Sequence, residues 1–240
     1  MTSNQFFIKK IPEGQERFFL SGDEHYHLSR VARIKAGENI WLSDGHRRRL
    51  LARVEEITRE RTWLRPLRVI DEVLKTELTV AVGLTKPATF EFLIQKATEL
   101  GVARIQPLLT KRAMLISSDK LENKWERWNK IAREALKQSK GAVLPEILKP
   151  VSLPEALAQF SAERKFFLDE HSTLYFRDIL KEKSPATVCL VVGPEGGWDE
   201  EEKKMLKKNG YEGLSLGGRI LRTETAVIAA LVLISHYWNW

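Results

Sequence analysis

The chain has 240 residues, 43% hydrophobic and 30% charged, with 39 Lys and Arg against 32 Asp and Glu for a net charge of +7. That length suits one large domain or two modest ones. No apolar run reaches the roughly 18 residues a membrane span needs, the start Met1-Thr2-Ser3-Asn4-Gln5 lacks the plan of a signal peptide, and the single Cys189 excludes a disulfide framework or a cysteine zinc site, so a cytoplasmic protein without membrane or metal attachment is expected.

The amino-terminal third reads as mostly β. Arg17-Phe18-Phe19-Leu20, Asn39-Ile40-Trp41-Leu42, Arg49-Leu50-Leu51-Ala52-Arg53-Val54 and Arg61-Thr62-Trp63-Leu64 are short strand-like runs. Asp44-Gly45 marks a hairpin between the second and third. A short helix is expected over Glu24 to Arg33. Several short strands with tight turns suit a small barrel. This part is also the basic one: residues 1–70 hold 14 Lys and Arg against 9 Asp and Glu, and residues 71–240 hold 25 against 23. A basic module beside a near-neutral one fits a polyanion-holding part joined to a part that does chemistry; solvated surface charge is the alternative. Arg30, Arg33, Arg47, Arg48 and Arg49 are the candidate phosphate contacts, the triplet bordering the hairpin tip. His25 and His27 have no further ligand at metal-binding spacing.

A boundary near Val69 to Thr76 divides residues 1–72 from 73–240. Beyond it strand and helix alternate. Leu78 to Leu84 reads as a strand, Phe90, Leu93, Ile94, Ala97 and Leu100 recur at helical spacing before Gly101, Ile105 to Leu109 is the next strand, and Leu121 to Ser139 is a helix. A strand over Lys165 to Asp169 and a short helix follow. Ala186 to Val192 then leads into Gly193-Pro194-Glu195-Gly196-Gly197-Trp198, and Gly213 to Leu216 into Gly217-Gly218-Arg219-Ile220-Leu221-Arg222-Thr223-Glu224-Thr225-Ala226, before a last apolar helix reaching Trp240. This order predicts an α/β fold with a mostly parallel sheet covered on both faces.

The two glycine turns are the candidate site. Ligands of open α/β sheets settle beyond the carboxyl ends of strands, where residues without Cβ let a ligand approach backbone groups. Leu190, Val192, Leu216, Ile220 and Leu221 can form an apolar slot, and Gly193, Gly196, Gly197 and Gly218 leave backbone approachable. Asp199 and Glu202 fit a capping box. Neither turn fits a P-loop or a dinucleotide fingerprint.

Both turns, together with Phe92-Leu93-Ile94-Gln95-Lys96-Ala97-Thr98-Glu99-Leu100-Gly101-Val102, resemble the SPOUT class of RNA methyltransferases, and within it the bacterial family that methylates N3 of a uridine in 16S rRNA of the small ribosomal subunit. The resemblance covers residues 75–240 strongly and the amino-terminal part loosely. It implies a deep carboxyl-terminal trefoil knot, an amino-terminal PUA-like RNA-binding barrel, a homodimer, and S-adenosylmethionine held by the loop after Leu168, the turn Gly193 to Trp198 with Pro194 and Glu195, and the segment Leu216 to Ala226 with Arg222, Thr223 and Thr225.

Methylation at N3 needs an acceptor for the imide proton and a cation for charge on the flanking carbonyls. Glu195 and Glu224 are the candidate acceptors and Arg222 the candidate cation; alternatively Arg222 pairs with one of them and only holds the loops together. The resemblance adds Lys96, Arg112, Gln138 and Ser139 as RNA contacts, although Lys96 and Glu99 also suit a plain surface pair. The chain departs from the family's pattern at Lys111, where an acidic residue is usual, at Lys140-Gly141, where an arginine is usual, and at Gly218, where a proline is usual. Relatives of this class that modify another rRNA or tRNA base, and a ribosome-assembly factor without turnover, are the competing readings.

Overall fold

A computed structural model describes residues 4–114, 118–179, 181 and 183–239; Met1 to Ser3 and Trp240 lie outside the described residues. The chain divides into two compact units, one of Met1–Val73 with Arg133–Leu144, the other of Leu74–Ala132 with Pro145–Trp240.

In the first unit, β1 (Gln5–Phe7), β2 (Phe18–Ser21), α1 (Gly22–Tyr26) with a π-helical turn (His27–Val31), β3 (Asn39–Ser43), β4 (Arg48–Ile57) and β5 (Arg61–Asp71) follow one another. The sheet order is β1-β3-β4-β5-β2, with β1 parallel to β3 and the remaining pairs antiparallel. Inward residues of each strand alternate with outward ones, so Phe18, Leu20, Ile40, Leu42, Leu50, Ala52, Val54 and Leu64 meet Phe6, Ile11 and Leu28 in one core. The hairpin at Asp44-Gly45 joins β3 to β4: the Asp44 carboxylate accepts from the His46 N–H at 2.8 Å, and Gly45 and Arg47 both hold positive φ. β1 was not expected, since three residues show no period. The expected helix starts two residues earlier, at Gly22, and ends at Val31, leaving Arg33 beyond it at φ 53°. The segment Arg133–Leu144 belongs here because Gln5 Nε2 donates to the carbonyls of Leu136 (3.2 Å) and Gly141 (2.8 Å).

The second unit holds β6 (Glu77–Gly83), α2 (Pro87–Glu99), β7 (Arg104–Leu109), α3 (Ser118–Ser139, up to Ala132), β8 (Glu146–Ile147), β9 (Val151–Ser152), α4 (Leu153–Gln159), β10 (Arg164–Leu168), α5 (Phe176–Ile179), β11 (Thr187–Val192), α6 (Glu200–Lys208), β12 (Glu212–Leu214) and α7 (Thr223–Trp238). Its sheet runs β12-β10-β11-β6-β7-β8, with β9 also on β7, and every pair is parallel. Apart from Glu77, Thr79 and Thr187, β6 and β11 are apolar, and both are almost wholly buried, as a strand covered on both faces must be. Ala81, Phe167, Cys189 and Val191 share a cluster with α4 and α6, while α2 and α7 pack against each other. Pro87 opens α2 and Gly101, at φ 76°, follows its end. α4 was not foreseen, although its Ser152–Glu155 capping box is a sequence-level signal. Along α7 the buried residues Thr223, Val227, Ala230, Leu231, Ile234 and Trp238 form one stripe, so the helix is one-sided rather than buried all round.

Candidate active site

The carboxyl ends of β10, β11 and β12 and the start of α2 surround a cavity of about 660 Å³. Leu168, Asp169 and Glu170 come from β10 and its loop. Val192 and the whole turn Gly193 to Trp198 come from β11, and Leu214 to Gly217 from β12. Arg219 to Glu224 and Ala226 close it from the approach to α7, and Lys86 and Thr89 from α2. Of the expected site residues, Leu168, Val192, Gly193, Pro194, Glu195, Gly196, Gly197, Leu216, Ile220, Leu221, Arg222, Thr223, Glu224 and Ala226 are therefore gathered around one space. Leu190, Gly218 and Thr225 are not among its lining residues. Leu190 is fully buried within β11, two residues short of the strand's end.

Close packing explains the glycines. A Cβ on Gly83 would stand 2.6 Å from the backbone N of Pro194, and one on Gly193 would stand 3.2 Å from the Trp198 ring. Gly197 takes φ 70° and its N–H returns to the Pro194 carbonyl at 2.9 Å, closing the tight turn. On the second turn the demanding residue is Gly217, at φ 136°, whereas Gly218 has nothing within 4 Å of a Cβ position. The Trp198 indole N–H donates to the Leu168 carbonyl at 2.9 Å and its ring meets Phe167 edge to face, which ties the end of β10 to the β11 turn.

A second set of contacts fixes the turn from the β7 side. Glu202, buried in the capping box of α6, accepts from the Asp199 N–H (3.0 Å) and from the Lys111 N–H (2.8 Å). The Lys111 ammonium pairs with Asp199 at 2.8 Å and with Glu201. That hydrogen bond, then the Glu201 N–H, hold the Asp199 carboxyl below the usual carboxylate range, and the same pairing with Asp199 and Glu201 holds Lys111 above the usual lysine range. Here the residue that departs from the family's pattern has found local partners. Arg112 donates to the Gly196 carbonyl at 3.0 Å.

The charges at the cavity are mixed. Arg222 stands at the N-cap of α7 and forms no ion pair among the described residues, with Glu224 and Glu195 included. The cation beside Glu195 is instead Lys86, its Nζ 3.9 Å from Oε2. Glu224 occupies the first turn of α7, where the helix dipole favours an anion. Asp169 is buried and accepts from Lys203 Nζ at 3.1 Å and from the His171 N–H at 3.2 Å. Burial works against the Lys203 charge, yet Asp169 holds it above its ordinary range. Asp169, Glu170, Gly217 and Arg219 fall inside the loop after Leu168 and the segment Leu216 to Ala226 without having been singled out, whereas Lys86, Thr89, Leu214 and Ser215 were missed in the sequence. The rule that ligands gather beyond strand ends would have found Lys86, three residues past β6 and immediately before Pro87.

The expected RNA contacts divide between the units. In the first, Arg30 and Arg33 are exposed, Arg48 pairs with Glu13 (2.8 Å) and Asp71 (3.5 Å), and Arg49 donates to the Lys140 carbonyl and lies over Trp41. The backbone of Arg47 is pinned between Ala142 and Glu72, and Gln138 and Ser139 end α3. In the second unit Arg112 is exposed, while Lys96 forms the plain pair with Glu99 at 2.8 Å. Among the described residues no group of three or more His, Cys, Asp or Glu could hold a metal, and no helix is long and apolar enough to cross a membrane.

Comparison with known proteins agrees with this architecture. The sequence model of the RNA methyltransferase domain matches residues 72–235. The ribosomal RNA small subunit methyltransferase E of Synechocystis is 32% identical over 88% of this chain and 70% of its own length, and that of Bacillus subtilis 29% identical over 97% and 96%. Among solved structures, the methyltransferase E of Neisseria gonorrhoeae bound to S-adenosyl methionine superimposes with a TM-score of 0.89 at 28% identity, covering 98% of both chains. A methyltransferase from Legionella pneumophila in complex with the same cofactor gives 0.87 at 29%, again over 98% of both. With its parallel sheet, its paired glycine turns around one cavity and these relatives across nearly its whole length, the chain belongs to the ribosomal RNA small subunit methyltransferase E family of RNA methyltransferases.

Proposed function

We propose that this protein transfers a methyl group from S-adenosylmethionine to N3 of a specific uridine in 16S rRNA of the small ribosomal subunit. The observation that carries the reading is the single cavity at the carboxyl ends of β10, β11 and β12, where both glycine turns meet Glu195, Arg222 and Glu224. Its residues fit the cofactor. About 660 Å³ lies in the range of small-molecule sites, Leu168, Val192, Leu216 and Leu221 supply apolar wall for a purine, and the cavity offers both cations and carboxylates to a zwitterionic tail. When bound, S-adenosylmethionine supplies an electrophilic methyl on sulfonium.

The chain's own groups prepare the acceptor. The imide nitrogen attacks only after losing its proton, which Glu195 or Glu224 takes up. Arg222, without a carboxylate partner among the described residues, stabilises the charge that deprotonation spreads onto the flanking carbonyl oxygens. Residues 1–72 serve as a PUA-like RNA-docking module and residues 73–240 as the transferase with a trefoil-knotted carboxyl end, acting in the cytoplasm on the ribosomal subunit. A homodimer forms through the outer side of α7 and the adjoining α2; exposed Val232, Tyr237 and Phe92 support this surface.

The test is to incubate the protein with labelled S-adenosylmethionine and small subunits lacking their base methylations, then identify labelled nucleosides by mass spectrometry. Labelled 3-methyluridine is expected. A different methylated nucleoside would replace the target, and absence of both label and cofactor binding would overturn the reading.

A further inference from the structure

The outward face of β2, β5 and β4 carries a stack that the methyl-transfer cavity does not use. Phe19 lies directly opposite Trp63 in the antiparallel register, with ring centroids 5.2 Å apart, edge to face. The Arg17 guanidinium sits 4.5 Å over Trp63 and the Arg61 guanidinium 4.4 Å over Phe19. The four side chains thus form a row, Arg17, Trp63, Phe19, Arg61. Phe18 and Leu20 on either side point into the core, while Phe19 keeps 41% of its surface exposed.

The carboxylates bordering this row are already engaged. Arg17 pairs with Glu55 (3.1 Å) and Glu56 (2.9 Å), and Arg65 pairs with Glu55 (2.5 Å). Arg61, and Arg53 opposite Arg65 in the β4–β5 register, have no carboxylate within ion-pair distance among the described residues. The face therefore combines an exposed ring with two guanidinium groups free of internal counter-charge. Single-stranded nucleic acid asks for that combination: an aromatic surface on which a base can stack, and cations along the backbone on either side.

We propose that this face binds an unpaired stretch of RNA, with a base stacked on Phe19 and the adjoining phosphates on Arg61 and Arg53. The inference rests on the reading that the first unit docks ribosomal RNA. It places the contact away from Arg48 and Arg49, which are held by Glu13, Asp71 and the Lys140 carbonyl. The occupant is RNA with accessible base faces, because a duplex keeps its bases stacked on one another.

The test compares binding of the full-length protein to a fluorescein-labelled single-stranded RNA and to the same RNA in duplex form, across a salt series. Phe19→Leu is expected to weaken single-strand binding roughly tenfold with an unchanged salt slope, and Phe19→Tyr to restore it. Arg61→Gln and Arg53→Gln are expected to lower the slope by about 0.7 each. Thermal melting shows that each variant is folded. Wild-type affinity in Phe19→Leu, an equal loss for single strand and duplex, or failure of Phe19→Tyr to restore binding would overturn the proposal. Methylation of small subunits is measured alongside. Variants that bind like a methylating wild type would remove this face alone, whereas a wild type that neither methylates nor binds RNA would remove the reading beneath it.

Discussion

Gly83 lies so close to Pro194 that a single added Cβ would stand 2.6 Å from the proline's N and Cδ. The end of β6 is thereby locked against the β11 turn, and Lys86 is brought beside Glu195. Gly83→Ala must push the turn away, because backbone rather than a flexible side chain stands in its path. The expected cost is about 1–3 kcal/mol of stability, with a loss of S-adenosylmethionine affinity of at least roughly tenfold. Calorimetric titration and thermal melting would check both; wild-type cofactor affinity would show that the turn tolerates displacement.

Among the described residues Arg222 has no carboxylate to hold it, so its removal should leave the loops in place and take away only the charge offered to the base. Arg222→Ala is expected to lower kcat by roughly 10²–10³, with cofactor affinity and melting temperature close to wild type. The parallel variants Glu195→Gln and Glu224→Gln identify the proton acceptor, since the larger fall in kcat marks the group that takes the proton. Near-normal turnover in Arg222→Ala would remove it from the mechanism.

Glu202 is a buried carboxylate shared by two backbone N–H groups, those of Asp199 and Lys111. Glu202→Ala leaves both donors without an acceptor, an expected loss of about 1–3 kcal/mol for each such group left buried. Chemical denaturation would measure it. The two donors use different oxygens of Glu202, so Glu202→Gln, which keeps one acceptor, is expected to recover part of the lost stability; no recovery would show that the charge matters more than the hydrogen bond.

Burial pushes the Cys189 thiol up from 9.0 to about 11, with Tyr211 Oη 3.5 Å away as its polar neighbour. The native protein should therefore resist iodoacetamide at pH 8 and react only on unfolding. Because the folded value is the higher one, its contribution to stability is complete below pH 9 and declines as pH rises towards 11. Cys189→Ala should flatten that alkaline decline. Rapid labelling of the native protein would place the thiol at the surface.

The sequence revealed the alternating strands and helices of the second unit because each carries its own period or punctuation: apolar β6 and β11, Pro87 and Gly101 around α2, the Asp199 capping box before α6. What it concealed depends on distance along the chain. β8 and β9 have two residues each and exist only as partners of β7. Gln5 reveals nothing about Leu136 until the fold brings them together. At the cavity, the glycine turns were legible as letters and the loop after Leu168 through the family resemblance, whereas Lys86 comes from the end of β6, where only the general rule for strand ends points to it.

The pairing of β6 with β11 has a consequence for how the protein is made. Glu77 stands beside Thr187, and the cavity is completed only by residues through Ala226, whereas the strands of the first sheet all lie before Glu72 and the segment covering them ends at Leu144. At ordinary translation speeds the ribosome needs on the order of 10 s to pass from Leu144 to Ala226. During that interval the nascent chain can complete its basic sheet while the cofactor cavity does not yet exist. Methyl transfer must therefore wait until the residues through Ala226 have been made and have closed the cavity, well after the first sheet has its last strand.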